Sequence, residues 1–152
     1  MEKIVAKPIK VSQEAPSEAT EATEQKPRYN KEELLVIFDE ILFSGEYRED
    51  ISIKGKLNVT FRTRSAADTA AITRELDSRK FNLMSSMQEY KALLCICYSI
   101  VTYGGKDLSA MSIENRQSFI EKLPTVMVAA LSNALVEFDL KTEAALGEMD
   151  SF

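Results

Sequence analysis

Between Ile51 and Arg62, the apolar residues Ile51, Ile53, Leu57, Val59 and Phe61 fall on odd positions, while Ser52, Lys54, Lys56, Asn58, Thr60 and Arg62 fall on even ones. A repeat of two is the geometry of a half-buried β-strand, because successive side chains point to opposite sides of the backbone. The other ordered stretches of the chain repeat at helical spacing. The fold class that follows is α+β: a mostly helical domain of about five helices with one β-hairpin or one long strand. An isolated hairpin is marginal in water, so the segment must be covered by the chain's own helices or paired with a strand from another chain.

Gly55 leaves two readings of this segment. Gly55-Lys56 fits the two-residue turn of a hairpin that pairs residues 51–54 with 57–60, which is the preferred reading; the alternative makes Gly55 a bulge within one long strand.

Around this segment the helix signals are regular. Asn30 followed by Glu33 opens a helix over 31–44, with Leu34, Leu35, Ile37, Phe38, Ile41 and Leu42 at helical spacing before Gly45. Ser65 with Asp68 opens a second helix, and Ser85 with Gln88 opens a third. That third helix carries Tyr90, Leu93, Leu94, Ile96, Cys97, Ile100 and Val101 on more than one face, which marks it as the central buried helix, ending at Tyr103-Gly104-Gly105. Ser112 opens a fourth helix that Pro124 closes. Val126 to Leu146 forms the fifth, with Met127, Leu131, Leu135 and Phe138 spaced by four, four and three.

Residues 1–29 carry three of the four prolines, and the stretch 11–25 has four glutamates and no basic residue. Such a composition buries too little apolar surface to offset the entropy of ordering, so a flexible arm is expected there. Within it, Ile4, Val5, Ile9 and Val11 alternate loosely with lysines and suit a short docking strand. Residues 30–147 are expected to form a single α+β domain, and 148–152 a frayed tail.

The chain of 152 residues has a net charge of −5 and no histidine. Missing histidine removes the commonest general base, the commonest metal ligand and the hydrolase triads at once. The carboxylate clusters Asp39-Glu40, Glu49-Asp50 and Glu137-Asp139 lie where charge is ordinarily solvated. No glycine-rich phosphate loop is present, since Gly104-Gly105 follows a helix and lacks the required spacing, and no calcium loop occurs. Cys95 and Cys97 would stand about 200° apart on a helix, too divergent for a local disulfide, and read as small buried hydrophobes. These features imply a protein that is not an enzyme and needs no cofactor or metal. No membrane-length apolar run and no secretory leader is visible, which implies an intracellular protein.

Partners are the remaining question. Lys54, Lys56, Arg62 and Arg64 make the even face of the strand basic, yet the net negative charge opposes nucleic acid, and Phe61 points away from Arg62 rather than interleaving with the charges. Pairing of this face with acidic helix faces such as Glu32, Asp39 and Glu40, or with an acidic partner protein, is the more economical reading. The candidate contacts are therefore Ile53, Leu57, Val59 and Phe61 on the apolar face or strand edge, with Lys54, Lys56, Arg62 and Arg64 steering. Completion of the sheet by a neighbouring strand, including that of a second copy, is the expected mode.

The stretch KGKLNVTFRTRSAAD, a strand ending in Phe61-Arg62-Thr63 and running straight into a serine-capped helix, resembles the small tail proteins of tailed bacteriophages, among them tail assembly chaperones and baseplate or hub accessory proteins. The resemblance covers Ile51 to Leu76 and carries no catalytic or ligand motif. It implies a non-enzymatic structural or assembly protein of the virion or the host cytoplasm, binding other virion or tail proteins. A nucleic-acid-associated regulator using the same basic face is the alternative.

Overall fold

In the computed structural model, which describes residues 29–150, the alternating segment is a hairpin: β1 (Arg48–Ile53) pairs antiparallel with β2 (Leu57–Arg62). The register sets Ile51 opposite Val59 and Ile53 opposite Leu57. This corrects the expected pairing of residues 51–54 with 57–60 by one residue. Under the expected register Ile53 would face Asn58 and Ile51 would face Thr60, mixing apolar and polar groups on both faces, whereas the observed one keeps every odd position inward. The turn is therefore centred on Lys54-Gly55, not Gly55-Lys56. Both residues have positive φ, 56° and 68°, as a twist-matched type I′ turn demands, and the Lys56 N–H closes it on the Ile53 carbonyl at 3.1 Å.

A second hairpin follows where the helical reading had run on. The helix beginning at Met84 stops at Ser99, and Ile100–Tyr103 and Lys106–Asp107 form two further strands, β3 and β4. Gly104 and Gly105, with φ of 57° and 86°, are the turn between them rather than a helix terminus. The β-branched run Ile100-Val101-Thr102 packs well on a pleated surface and crowds a helix, which explains the switch. The four strands lie in the order β1-β2-β3-β4, all antiparallel, so β2 has neighbours from this chain on both sides. Among the described residues, β1 and the two-residue β4 are the sheet edges.

Among the described residues five helices accompany the sheet: α1 (Lys31–Ser44), α2 (Ala66–Asp77), α3 (Met84–Ser99), α4 (Ile113–Glu121) and α5 (Thr125–Asp150). Ser65 caps α2 with the expected box, accepting from the Asp68 N–H while the Asp68 carboxylate accepts from the Ser65 N–H. Ser112 likewise caps α4. The third helix departs from expectation, starting two residues earlier than a Ser85 cap implies, behind Leu83 with no side-chain cap. Gly45 ends α1 with φ of 83° and its N–H on the Ile41 carbonyl. The last helix continues past residue 146 to Asp150, while residues 151 and 152, like residues 1–28 of the arm expected at 1–29 with its docking strand, lie outside the described residues.

Helices α3, α4 and α5 supply the other half of the core. Val59 and Phe61 meet Ile96, Cys97, Ile100, Leu108, Ile120, Leu131, Leu135 and Phe138 in one buried cluster. Phe138 lies between aromatic neighbours, 6.0 Å from Phe61 and stacked 6.0 Å from Tyr47. Burying each such side chain contributes about 1.5–3 kcal/mol, and this cluster is what holds the otherwise marginal hairpin in place. Among the described residues no helix is long and apolar enough to cross a membrane.

Candidate functional site

The eight residues expected to contact a partner have three different fates. Val59 and Phe61 are fully buried, so the apolar face of the strand is core and meets this chain's own helices. That corrects their assignment as contacts.

Arg62 and Arg64 are engaged inside the fold. Arg62 sits 3.1 Å from Asp68 and 3.7 Å from Glu46, which also pairs with Arg48. Arg64 donates one nitrogen to the buried Ser99 hydroxyl at 2.6 Å and another to Asp139 at 2.8 Å, joining the β2–α2 connection to the ends of α3 and the middle of α5. Neither guanidinium is left to steer a partner, and the acids that hold them are Asp68, Glu46 and Asp139 rather than Glu32, Asp39 and Glu40. The outer sheet face beside them is polar and of mixed charge. Asp50, Thr60 and Thr102 form a hydrogen-bonded ladder across three strands, so the continuous basic strip that a phosphate backbone needs does not form.

Ile53, Lys54, Lys56 and Leu57 are the four that come together at a surface. They line an open groove of about 600 Å³ whose opposite wall is the first turns of α5: Val126, Met127, Ala129, Ala130 and Asn133. Several local causes build it. The tight turn projects both lysines at the rim, the paired Ile53 and Leu57 stay half-exposed because the sheet ends there, and α5 starts beside them with a run of six apolar residues from Val126 to Leu131. Only Leu131 of that run is fully buried, and Val126 is 77% exposed. The groove is therefore a mostly apolar floor with two ammonium groups on its edge, near a helix start whose first turn holds no acidic residue. Val126 to Ala130 were not among the residues expected as contacts. Their signal was an apolar run covering more of the helix than its inward face needs.

Elsewhere the chemically suggestive groups have structural work. Glu49 accepts from the Tyr47 hydroxyl at 2.8 Å and, with Glu33, from the Lys141 ammonium at 2.9 and 3.0 Å, tying α1, β1 and α5 together. Burial pulls the Lys141 ammonium down, but its bonds to Glu49 and Glu33 outweigh that and leave its pKa above the ordinary lysine value. Cys95 and Cys97 are free; burial raises both thiols, that of Cys97 to about 12, which suppresses the nucleophilic thiolate. Among the described residues no group of His, Cys, Asp and Glu could hold a metal ion.

Comparison with known proteins finds no matching family model, no matching curated protein and no matching solved structure.

Proposed function

We propose that this chain is a non-enzymatic structural or assembly protein that works by binding other proteins, and that the groove between the hairpin turn and α5 is its docking surface. The observation that carries this reading is the convergence of Ile53, Leu57, Val126, Met127 and Ala130 around open apolar volume on a small acidic protein. Apolar surface of this kind, with charge confined to its rim, is the usual anatomy of a protein-binding patch. The setting we assign is the tail or baseplate of a tailed bacteriophage, which is what the likeness of Ile51 to Leu76 to small tail proteins implies. In that setting the protein acts in the host cytoplasm or in the virion, and its partners are other tail proteins or further copies of itself.

Mass spectrometry of purified tails and tail intermediates tests the reading. The chain is expected as a stoichiometric component of one or the other. Its absence from both, in cells that make it in quantity, would remove the assembly role.

A further inference from the structure

We propose that the occupant of the groove is the outward stripe of α1 from a second copy of this chain, so that copies join head to tail; this rests on the groove being the docking surface assigned above. On α1, Leu34 and Ile37 are buried, while Val36, Asp39, Glu40 and Phe43 fall within about 100° of arc on the other side of the helix. Phe43 is 83% exposed and Val36 58%, and both carboxylates between them are exposed as well. Exposed aromatic side chains are enriched where proteins meet partners. Val36 and Phe43, seven residues apart, lie on one line of the helix, the i, i+7 placement of two apolar anchors in a groove, with Asp39 and Glu40 on either side.

Charge makes the match specific. The side chains of Asp39 and Glu40 take part in no ion pair among the described residues, and neither do Lys54 and Lys56 on the groove rim. The start of α5 adds the partial positive charge of a helix amino terminus on the same side. An apolar stripe flanked by carboxylates thus faces an apolar floor flanked by ammonium groups, which steers the approach and fixes its register.

The two surfaces lie at opposite ends of the domain. The groove is at the first turns of α5, whereas the end of α1 adjoins its far end, where Ile41 and Gly45 share a cleft with Thr142 and Leu146. From Val126 to Leu146 the helix rises ~30 Å, so a copy cannot fill its own groove. Stripe and groove are also different patches. In the contact we infer, each copy gives its stripe to one neighbour and receives that of another, which generates a ring or an open filament; a two-fold pair exchanging both stripes would instead stop at a dimer.

Sedimentation velocity of the full chain across the micromolar range, at low and high salt, tests this. The expected wild-type result is concentration-dependent growth beyond a dimer that weakens with salt. Phe43→Ser and Val126→Glu each alter an exposed residue, and glutamate in a first helical turn is favourable, so both keep the fold, which circular dichroism and an unchanged melting temperature verify. Each variant alone should associate at least about tenfold more weakly. Mixed together, they retain one intact groove and one intact stripe, so the expected product is a one-to-one dimer that grows no further. A wild-type chain that stays monomeric, a wild-type chain that stops at a dimer, or a mixture that fails to pair would overturn the proposal. A monomeric chain still found in purified tails overturns the head-to-tail contact alone, whereas growing oligomers absent from tails keep the contact and remove the assembly role.

Discussion

Arg64 donates to Asp139 at 2.8 Å across 75 residues of sequence, and its other nitrogen reaches the Ser99 hydroxyl, which has no exposure to solvent. One guanidinium thus ties the end of the first hairpin to two helices that are made much later in the chain. Truncation of either partner leaves the other partly buried without its counter-charge. Arg64→Ala and Asp139→Ala are each expected to cost about 2 kcal/mol in urea unfolding. The double variant should cost less than the two together, by about 1 kcal/mol. Strict additivity would show that the pair is solvated and contributes nothing.

Phe61 and Leu57 separate core from surface on the same strand. Phe61→Ala empties a fully buried site and is expected to destabilise by about 3–5 kcal/mol. Leu57→Ala, at the half-exposed end of the strand, should cost clearly less while weakening association through the groove it lines. Stability from chemical denaturation and self-association from sedimentation, measured on both variants, distinguish the two roles. Equal losses of stability would place Leu57 in the core as well.

Lys54 holds a left-handed conformation that costs a residue with a Cβ about 1–2 kcal/mol, and asparagine tolerates it better. Lys54→Asn creates the Asn-Gly pair preferred in this type of turn and is expected to raise stability by about 0.5–1 kcal/mol. The same change removes a cation from the groove rim. Melting temperature should therefore rise as association falls, and a parallel change in both would contradict the separate placement of turn and rim.

Alkaline pH should destabilise the fold through Cys97 and Tyr47. Burial raises the Cys97 thiol from 9.0 to about 12, and burial with the Glu49 hydrogen bond raises the Tyr47 hydroxyl above its ordinary value. Between pH 9 and about 12 the unfolded chain has lost the Cys97 proton and the folded one has kept it, so stability falls as pH rises through that window. Cys97 alone accounts for up to about 1.4 kcal/mol per pH unit there. Urea midpoints measured from pH 7 to 10.5 should be level to about pH 9 and then decline. In the same series both thiols should resist iodoacetamide at pH 8 until denaturant is added; rapid labelling of Cys97 in the folded protein would contradict its burial.

The parity of Ile51 to Phe61 was legible because a period of two survives any reading of the turn, and the serine caps at Ser65 and Ser112 were legible because a hydroxyl three residues before the N–H that donates to it is a local device. The turn register was not. It depends on Lys54 accepting a positive φ, which composition disfavours and which cross-strand pairing of Ile51 with Val59 and Ile53 with Leu57 enforces. The second hairpin was hidden because Ile100 and Val101 continue the apolar run of α3, and only the β-branched sequence before Gly104-Gly105 marks the change. Of the expected contact residues, Ile53, Lys54, Lys56 and Leu57 come together at a surface, whereas Val59 and Phe61 are buried in the core and Arg62 and Arg64 are taken up by Glu46, Asp68 and Asp139, of which Asp139 is remote in sequence. The groove needs both the hairpin end and the start of α5, a proximity no local pattern encodes.

Hydrogen–deuterium exchange on the full chain, compared between dilute and concentrated solutions, bears most directly on the claim that the groove is a docking surface for α1 of another copy. Concentration should slow exchange in two separate places, residues 53–57 with 126–133 and residues 36–43, and leave the β1 edge at 48–52 unchanged. Exchange that is independent of concentration, or protection confined to that strand edge, would contradict it.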